Sequence, residues 1–221
     1  IYRLPVMMKR EERIYAWEIL YGDKEDEGNN PYKITEAFNL MLPGSHCPNC
    51  GAHIHFWQNI PVISYLLQRG RCTNCGIKIS VRYLLVELLC GALSILVVLR
   101  YPEPWQLLFA LLLTWGLLAM IFIDAEQQLL PDAITLPFMW LGIIAAYIGD
   151  GLFVSLETSV MGAIVGYLSL WSVYWVFRLI IGKEGMGYGD FKLLALLLAW
   201  QGFTLLPFIL FFSSIMGLLF A

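Results

Sequence analysis

Charge is what this chain has least of. Asp, Glu, Lys and Arg make up 14% of its residues, where a soluble domain carries about 25%. Hydrophobic residues make up 59%, which excludes a water-soluble globule of this length. No basic stripe is present and the net charge is −3, so nothing marks a nucleic-acid partner. Tandem repeats and low-complexity tracts are missing as well, and the opening residues do not read as a secretory leader. The abrupt start, Ile1-Tyr2-Arg3-Leu4-Pro5, and an end inside an apolar run at Phe220-Ala221 are those expected of a piece of a longer membrane protein.

The charge that is present is unevenly spread. Residues 1–83 hold 10 of the 14 Lys/Arg and 8 of the 17 Asp/Glu, and the remainder holds 4 basic and 9 acidic groups. A helix needs about 20 residues at 1.5 Å each to cross a bilayer core. Six apolar runs answer that description, some of them short: 83–100, 105–123, 133–149, 152–181, 190–202 and 203–221. The fourth is long enough to tilt, and only Gln201-Gly202 divides the last two. Residues 7–21 predict a short amphipathic helix beside the membrane, and 23–30 an exposed acidic loop. The fold expected is an all-α polytopic membrane protein with a small cytoplasmic zinc-ribbon-like domain. It divides into a cytoplasmic segment at 1–45, a four-cysteine domain at 46–80 and a membrane bundle of about six helices at 81–221.

The cysteine pattern is specific. Cys47-Pro48-Asn49-Cys50-Gly51 and Cys72-Thr73-Asn74-Cys75-Gly76 are matched Cys-x-x-Cys-Gly units with 21 residues between them. That spacing suits four thiolates closing a tetrahedral zinc site, and each glycine can turn the backbone around the metal. Pairs of this kind fit a reducing compartment. Four thiolates complete a shell, so His53 and His55 are not required as ligands. Cys90, inside an apolar run, reads as packing.

Orientation follows from the basic residues, which keep 1–83 on the cytoplasmic side. Counting crossings from there, the connections 124–132 and 182–190 fall on that same side. This places two carboxylates, remote in sequence, at one membrane face. Asp124 follows Met120-Ile121-Phe122-Ile123 at the end of the second run. Asp190 closes Gly185-Met186-Gly187-Tyr188-Gly189-Asp190 at the start of the fifth. If they adjoin, like charges cannot both ionise, and the pair can share a proton as an aspartyl dyad. Gly187 and Gly189 would let a bound chain approach the backbone.

The plainer reading stands beside it. Asp190 and Asp132 can each be a helix N-cap. Asp124 ends a helix, where a negative charge opposes the macrodipole, so its position asks for a functional reason. Glu126 and Glu184 read as solvated loop residues. Glu87 lies inside the first run, needs a partner there, and reads as structural. Lys192, two residues after Asp190, faces another side of its helix, while Arg178 and Lys183 are basic anchors. Trp105, Trp115, Trp140, Trp171, Trp175 and Trp200 suit an interfacial belt and core.

Six stretches together carry a likeness. Tyr2-Arg3-Leu4-Pro5, the two cysteine pairs, Asn59-Ile60-Pro61-Val62-Ile63-Ser64-Tyr65, Leu129-Leu130-Pro131-Asp132 and Gly187-Tyr188-Gly189-Asp190 resemble the type IV prepilin peptidases, membrane aspartyl proteases with a Gly-x-Gly-Asp motif. The likeness runs from residue 1 to 221. It implies an enzyme of the bacterial inner membrane that removes the leader of prepilins and pseudopilins on the cytoplasmic side. It further implies N-methylation of the new terminus from S-adenosylmethionine, in pilus assembly or type II secretion. By motif match the catalytic aspartates fall on Asp124 and Asp190, and the metal ligands on Cys47, Cys50, Cys72 and Cys75. No glycine loop of the soluble methyltransferase kind is present, so no residues are named for the methyl donor. Family members carry a membrane helix before the Tyr-Arg-Leu-Pro segment and further sequence after the end of this one, so about six of their eight helices correspond to this chain.

Two other classes compete. A proton- or cation-coupled transporter would place carboxylates near the bilayer centre on broken helices, whereas these lie at the interface. A non-catalytic zinc-bearing scaffold would use the cysteine head for docking.

Overall fold

The computed structural model describes residues 3–21, 31–32, 39, 44–60, 62–149, 152–183 and 186–220. The acidic stretch 23–30, the 150–151 connection, Glu184 and Gly185 lie outside the described residues. Eight α-helices are described: α1 Arg3–Tyr21, α2 Ile63–Leu67, α3 Val81–Arg100, α4 Pro104–Gln127, α5 Asp132–Ile148, α6 Leu156–Ile181, α7 Tyr188–Gln201 and α8 Leu206–Phe220. No strand occurs among the described residues, only two isolated bridges. The chain forms two compact units, Ile1–Leu96 and Val97–Ala221.

Helices α3, α4 and α6 are long and apolar enough to cross a membrane, while α5 and α8 are shorter apolar helices. All six apolar runs are helical, with ends shifted by a few residues. The helix α4 continues past Ile123 to Gln127, where Gln128 in the left-handed region stops it and donates its N–H to the Asp124 carbonyl at 2.7 Å. Glu126 is therefore helical rather than a loop residue. Gly202, at φ +83, makes the break between α7 and α8 sharp.

Within the second unit, α7 is the central helix. Phe191, Leu194, Ala195, Leu196, Leu198, Ala199 and Trp200 are all buried, as befits a helix that is apolar on every side. It lies against α5 and α6. Gly162 and Gly166 form a Gly-x-x-x-Gly stripe, the pattern that lets membrane helices approach closely. A Cβ on Gly162 would collide with the Leu198 carbonyl, and one on Gly166 would lie 2.9 Å from the Ala195 Cα. Buried Ser159 seals the contact by donating to the Ala199 carbonyl at 2.6 Å. On the other flank, Trp200 rests on Gly142 of α5 and donates to the Phe138 carbonyl at 2.8 Å. The shared core comprises Phe109, Met120, Ala145, Leu196 and Trp200.

The first unit has little core of its own. Of the side chains described in 44–80, only Cys47 is buried and apolar. Helix α1 is tied down by Arg3, which donates to the Asn39 and Gly44 carbonyls, and by Arg10, which donates to the Tyr32 carbonyl.

Candidate functional site

Two chemical clusters are present, one in each unit. In the first unit the four thiols of Cys47, Cys50, Cys72 and Cys75 lie within 4.8 Å of one another. The Sγ atoms of Cys47 and Cys75 are 3.8 Å apart. An edge of a tetrahedron with Zn–S bonds of 2.3 Å is about 3.8 Å long, so this donor set fits a zinc ion.

The backbone explains how the cluster forms. Gly51 and Gly76 take φ +68 and +71, and each donates its N–H to the first cysteine of its pair at 2.9 Å. Cys47 and Cys72 then donate to Ala52 and Ile77, both at 2.9 Å. The bridges His46 to His53 and Arg71 to Lys78 close the two loops at the same offset along the chain. The two knuckles are thus local copies of one unit, which their shared Cys-x-Asn-Cys-Gly pattern encodes.

The two asparagines cross between the copies. Asn49 Nδ2 donates to the Cys75 Sγ at 3.7 Å, and Asn74 Nδ2 to the Cys50 Sγ at 3.5 Å. The Asn74 amide, with the Ala52 N–H, brings the Cys50 thiol down to about 6. The N–H groups of Cys75 and Asn74 lower Cys72 as well. Amides that favour thiolates prepare a cation site. Among the described residues the metal-ligating cluster contains no histidine. His53 packs against Gly44, and His55 stacks on Trp57 with ring centres 4.7 Å apart.

In the second unit one end of the bundle gathers the carboxylates. Asp124 is in the last turn of α4, Asp132 opens α5, and Asp190 is in the first turn of α7. A Cβ on Gly189 would meet the Leu130 Cβ at 3.0 Å, so the start of α7 lies directly on the α4–α5 connection. Asp124 and Asp190 are both exposed. They are close enough for the charge of Asp124 to act on the Asp190 carboxyl. The two connections that crossing parity placed on one side do meet at one end.

The N-cap readings do not hold for either aspartate. Gly187 occupies the cap of α7, so Asp190 is its third residue, and Pro131 occupies the cap of α5. Asp132 instead accepts both contacts from the Lys192 Nζ, at 2.6 and 2.8 Å. Lys192 turns away from Asp190 and ties α7 to α5. On the α6 side, Tyr188 donates to the buried Tyr174 hydroxyl at 3.5 Å, which also receives Arg178 at 3.2 Å. The turn that presents Asp190 is therefore held from two directions. The signals for these ties were only a cation two residues past Asp190 and a tyrosine between its glycines.

Comparison with known proteins adds to this geometry. Residues 1–101 match the model of the Bacterial Peptidase A24 N-terminal domain, and 111–221 match that of the Type IV leader peptidase family. The chain is 57% identical to a prepilin leader peptidase/N-methyltransferase of Dichelobacter nodosus, over 100% of this chain and 76% of the relative. A protein of the same name from Stutzerimonas stutzeri is 53% identical over 98% of this chain and 72% of the relative. Another, from Pseudomonas aeruginosa, is 50% identical with the same two coverages. No solved structure matches. The carboxylates gathered at one bundle end, the paired cysteine knuckles and these matches agree: the chain belongs to the type IV leader peptidase family.

Proposed function

We propose that this protein is a membrane aspartyl endopeptidase that cleaves the leader from type IV prepilins or pseudopilins, with Asp124 and Asp190 as its catalytic pair. The observation that carries this reading is the meeting of two exposed carboxylates from separate helix ends at one end of the bundle. One carboxylate takes a proton from water as the water oxygen bonds to the scissile carbonyl carbon. The other carboxyl gives its proton to the carbonyl oxygen. The tetrahedral adduct then collapses, the C–N bond breaks, and the departing amine takes the proton removed from water. A substrate with an apolar helix in the bilayer would bring its leader junction to this polar rim. The excess of basic residues in 1–83 supports a cytoplasmic location for the rim and the cysteine head, in a bacterial inner membrane.

The relatives' printed name supports N-methylation of the new terminus as a second activity. Its methyl donor is S-adenosylmethionine, and no residues of this chain are assigned to it. Zinc, held by Cys47, Cys50, Cys72 and Cys75, is a structural ion in this reading and supplies the tetrahedral crosslink that closes the head. The test is a cleavage assay on purified prepilin. Asp124→Ala and Asp190→Ala each abolish processing while melting stays close to that of the parent, and Asp132→Ala leaves cleavage largely intact. Cleavage retained in either of the first two removes the dyad assignment.

A further inference from the structure

The segment between the two cysteine knuckles carries exposed apolar side chains. Ile63, Leu66 and Leu67 of α2 are 57%, 65% and 79% exposed, with Trp57 and Ile60 exposed beside them. So large an apolar cluster on so small a head marks a contact surface. Three observations within this unit say what covers it.

The first is depth. Helix α3 has 20 residues and is apolar enough for a span, and its length of about 30 Å just equals the hydrocarbon thickness. It has no residues to spare, so a crossing α3 starts at the membrane boundary at Val81. Glu87 is a turn and a half further in. Its side chain leans back toward the helix start, which puts its carboxylate roughly 5 Å below the boundary. The second is a contact. The Val62 N–H donates to the Glu87 Oε2 at 2.9 Å. Val62, at φ +61, is a branched residue in the left-handed region and the cap of α2, so that short helix begins at the depth Glu87 sets. The third is charge. Between Glu36 and Glu87 the sequence has no Asp or Glu, while Arg69, Arg71, Lys78 and Arg82 follow α2 closely. Apolar side chains beside a cluster of cations are the composition that binds an anionic membrane interface.

We propose that α2, Ile63–Leu67, is an interfacial element that inserts Ile63, Leu66 and Leu67 among the acyl chains of the bilayer, with Arg69 and Arg71 on anionic lipid phosphates. Immersion is compatible with the local backbone. Ser64, Leu66 and Gln68 donate to the Ile60, Val62 and Ser64 carbonyls at 3.2, 3.0 and 2.9 Å, and Glu87 takes the Val62 donor. A backbone at this depth needs such partners. The head is then fastened to the membrane at both the α2 and the α3 side, a role independent of the proteolytic reading.

The test uses the full chain in vesicles of phosphatidylethanolamine and phosphatidylglycerol, with photoreactive p-benzoylphenylalanine placed at Leu66 or, separately, at Leu67. Protection of the four head thiols from alkylation in zinc certifies that each labelled protein is folded. Irradiation is expected to give phospholipid adducts at both positions, seen by mass spectrometry. Replacing phosphatidylglycerol with phosphatidylcholine should cut their yield at least twofold. Crosslinks to the protein's own helices, or to another protein copy, would show a protein-covered face and overturn the proposal. So would folded protein that forms no adduct, its label lying in water. A yield indifferent to phosphatidylglycerol removes the assignment of Arg69 and Arg71 to anionic phosphates.

Discussion

Asp124 and Asp190 occupy opposite helix termini, and that difference matters for their chemistry. Negative charge is unfavourable at the end of α4 and favourable at the start of α7, so two like groups meet in unlike surroundings. Replacing either by the isosteric Asn keeps shape and hydrogen bonding but removes the titrating proton. Each such variant should lose cleavage by at least about 1,000-fold with an unchanged helix content by circular dichroism. The asparagine amides of the head act on another scale of effect. Asn74→Ala removes the donor to the Cys50 Sγ and should weaken zinc binding about 10–100-fold, as outer-shell changes do. Competition with a chromophoric chelator measures it. The sign of the pH dependence is also fixed. A thiol lowered to about 6 in the folded head contributes stability that is fully present above the ordinary thiol range and is lost as pH falls through about 6. Zinc-dependent protection of the knuckle amides should therefore be lost as pH falls, and Asn74→Ala should move that loss to higher pH.

Between elements, the sequence was most legible where one physical demand acts alone. Lipid requires long apolar helices, so the six runs lie within a few residues of α3 to α8. Apolar content could not show which helix is central. Helix α7 is the shortest of the bundle, and an all-round apolar helix has no face to reveal its neighbours. The clue lay in its partner, in the small residues Ser159, Gly162 and Gly166. Because a side chain at 162 would strike backbone rather than a movable group, Gly162→Leu should force α6 from α7. The cost is expected to be about 1–3 kcal/mol or more, read as a fall in the melting temperature in detergent. The Lys192–Asp132 pair joins residues 60 positions apart, a distance that no local pattern spans. It is partly exposed, 26% and 53%, so it contributes at most about 1 kcal/mol. Asp132→Lys with Lys192→Asp should recover most of whatever either change loses in cleavage rate.

At the scale of the whole chain, the two units are stabilised by different physics, and that difference can be tested. The buried cluster of the second unit is made of side chains from its packed helices. Among its described side chains the 44–80 stretch buries almost nothing but Cys47, and a segment of that size has difficulty burying enough apolar surface to fold by itself. Its order is then expected to rest on the metal that its four thiolates would hold. A strong zinc chelator should therefore unfold one unit and spare the other. In hydrogen exchange, the amides of Cys47, Gly51, Cys72 and Gly76, whose bonds shape the knuckles, should lose protection on chelation. Those of Leu194 to Trp200 in α7 should keep it, because lipid and the α5 and α6 helices shield them with no metal involved. Serine at Cys47 and Cys72 should reproduce the chelated pattern without chelator. If the knuckle amides stay protected in metal-free protein, the head has a source of order other than zinc. If α7 loses protection along with them, the two units fold as one.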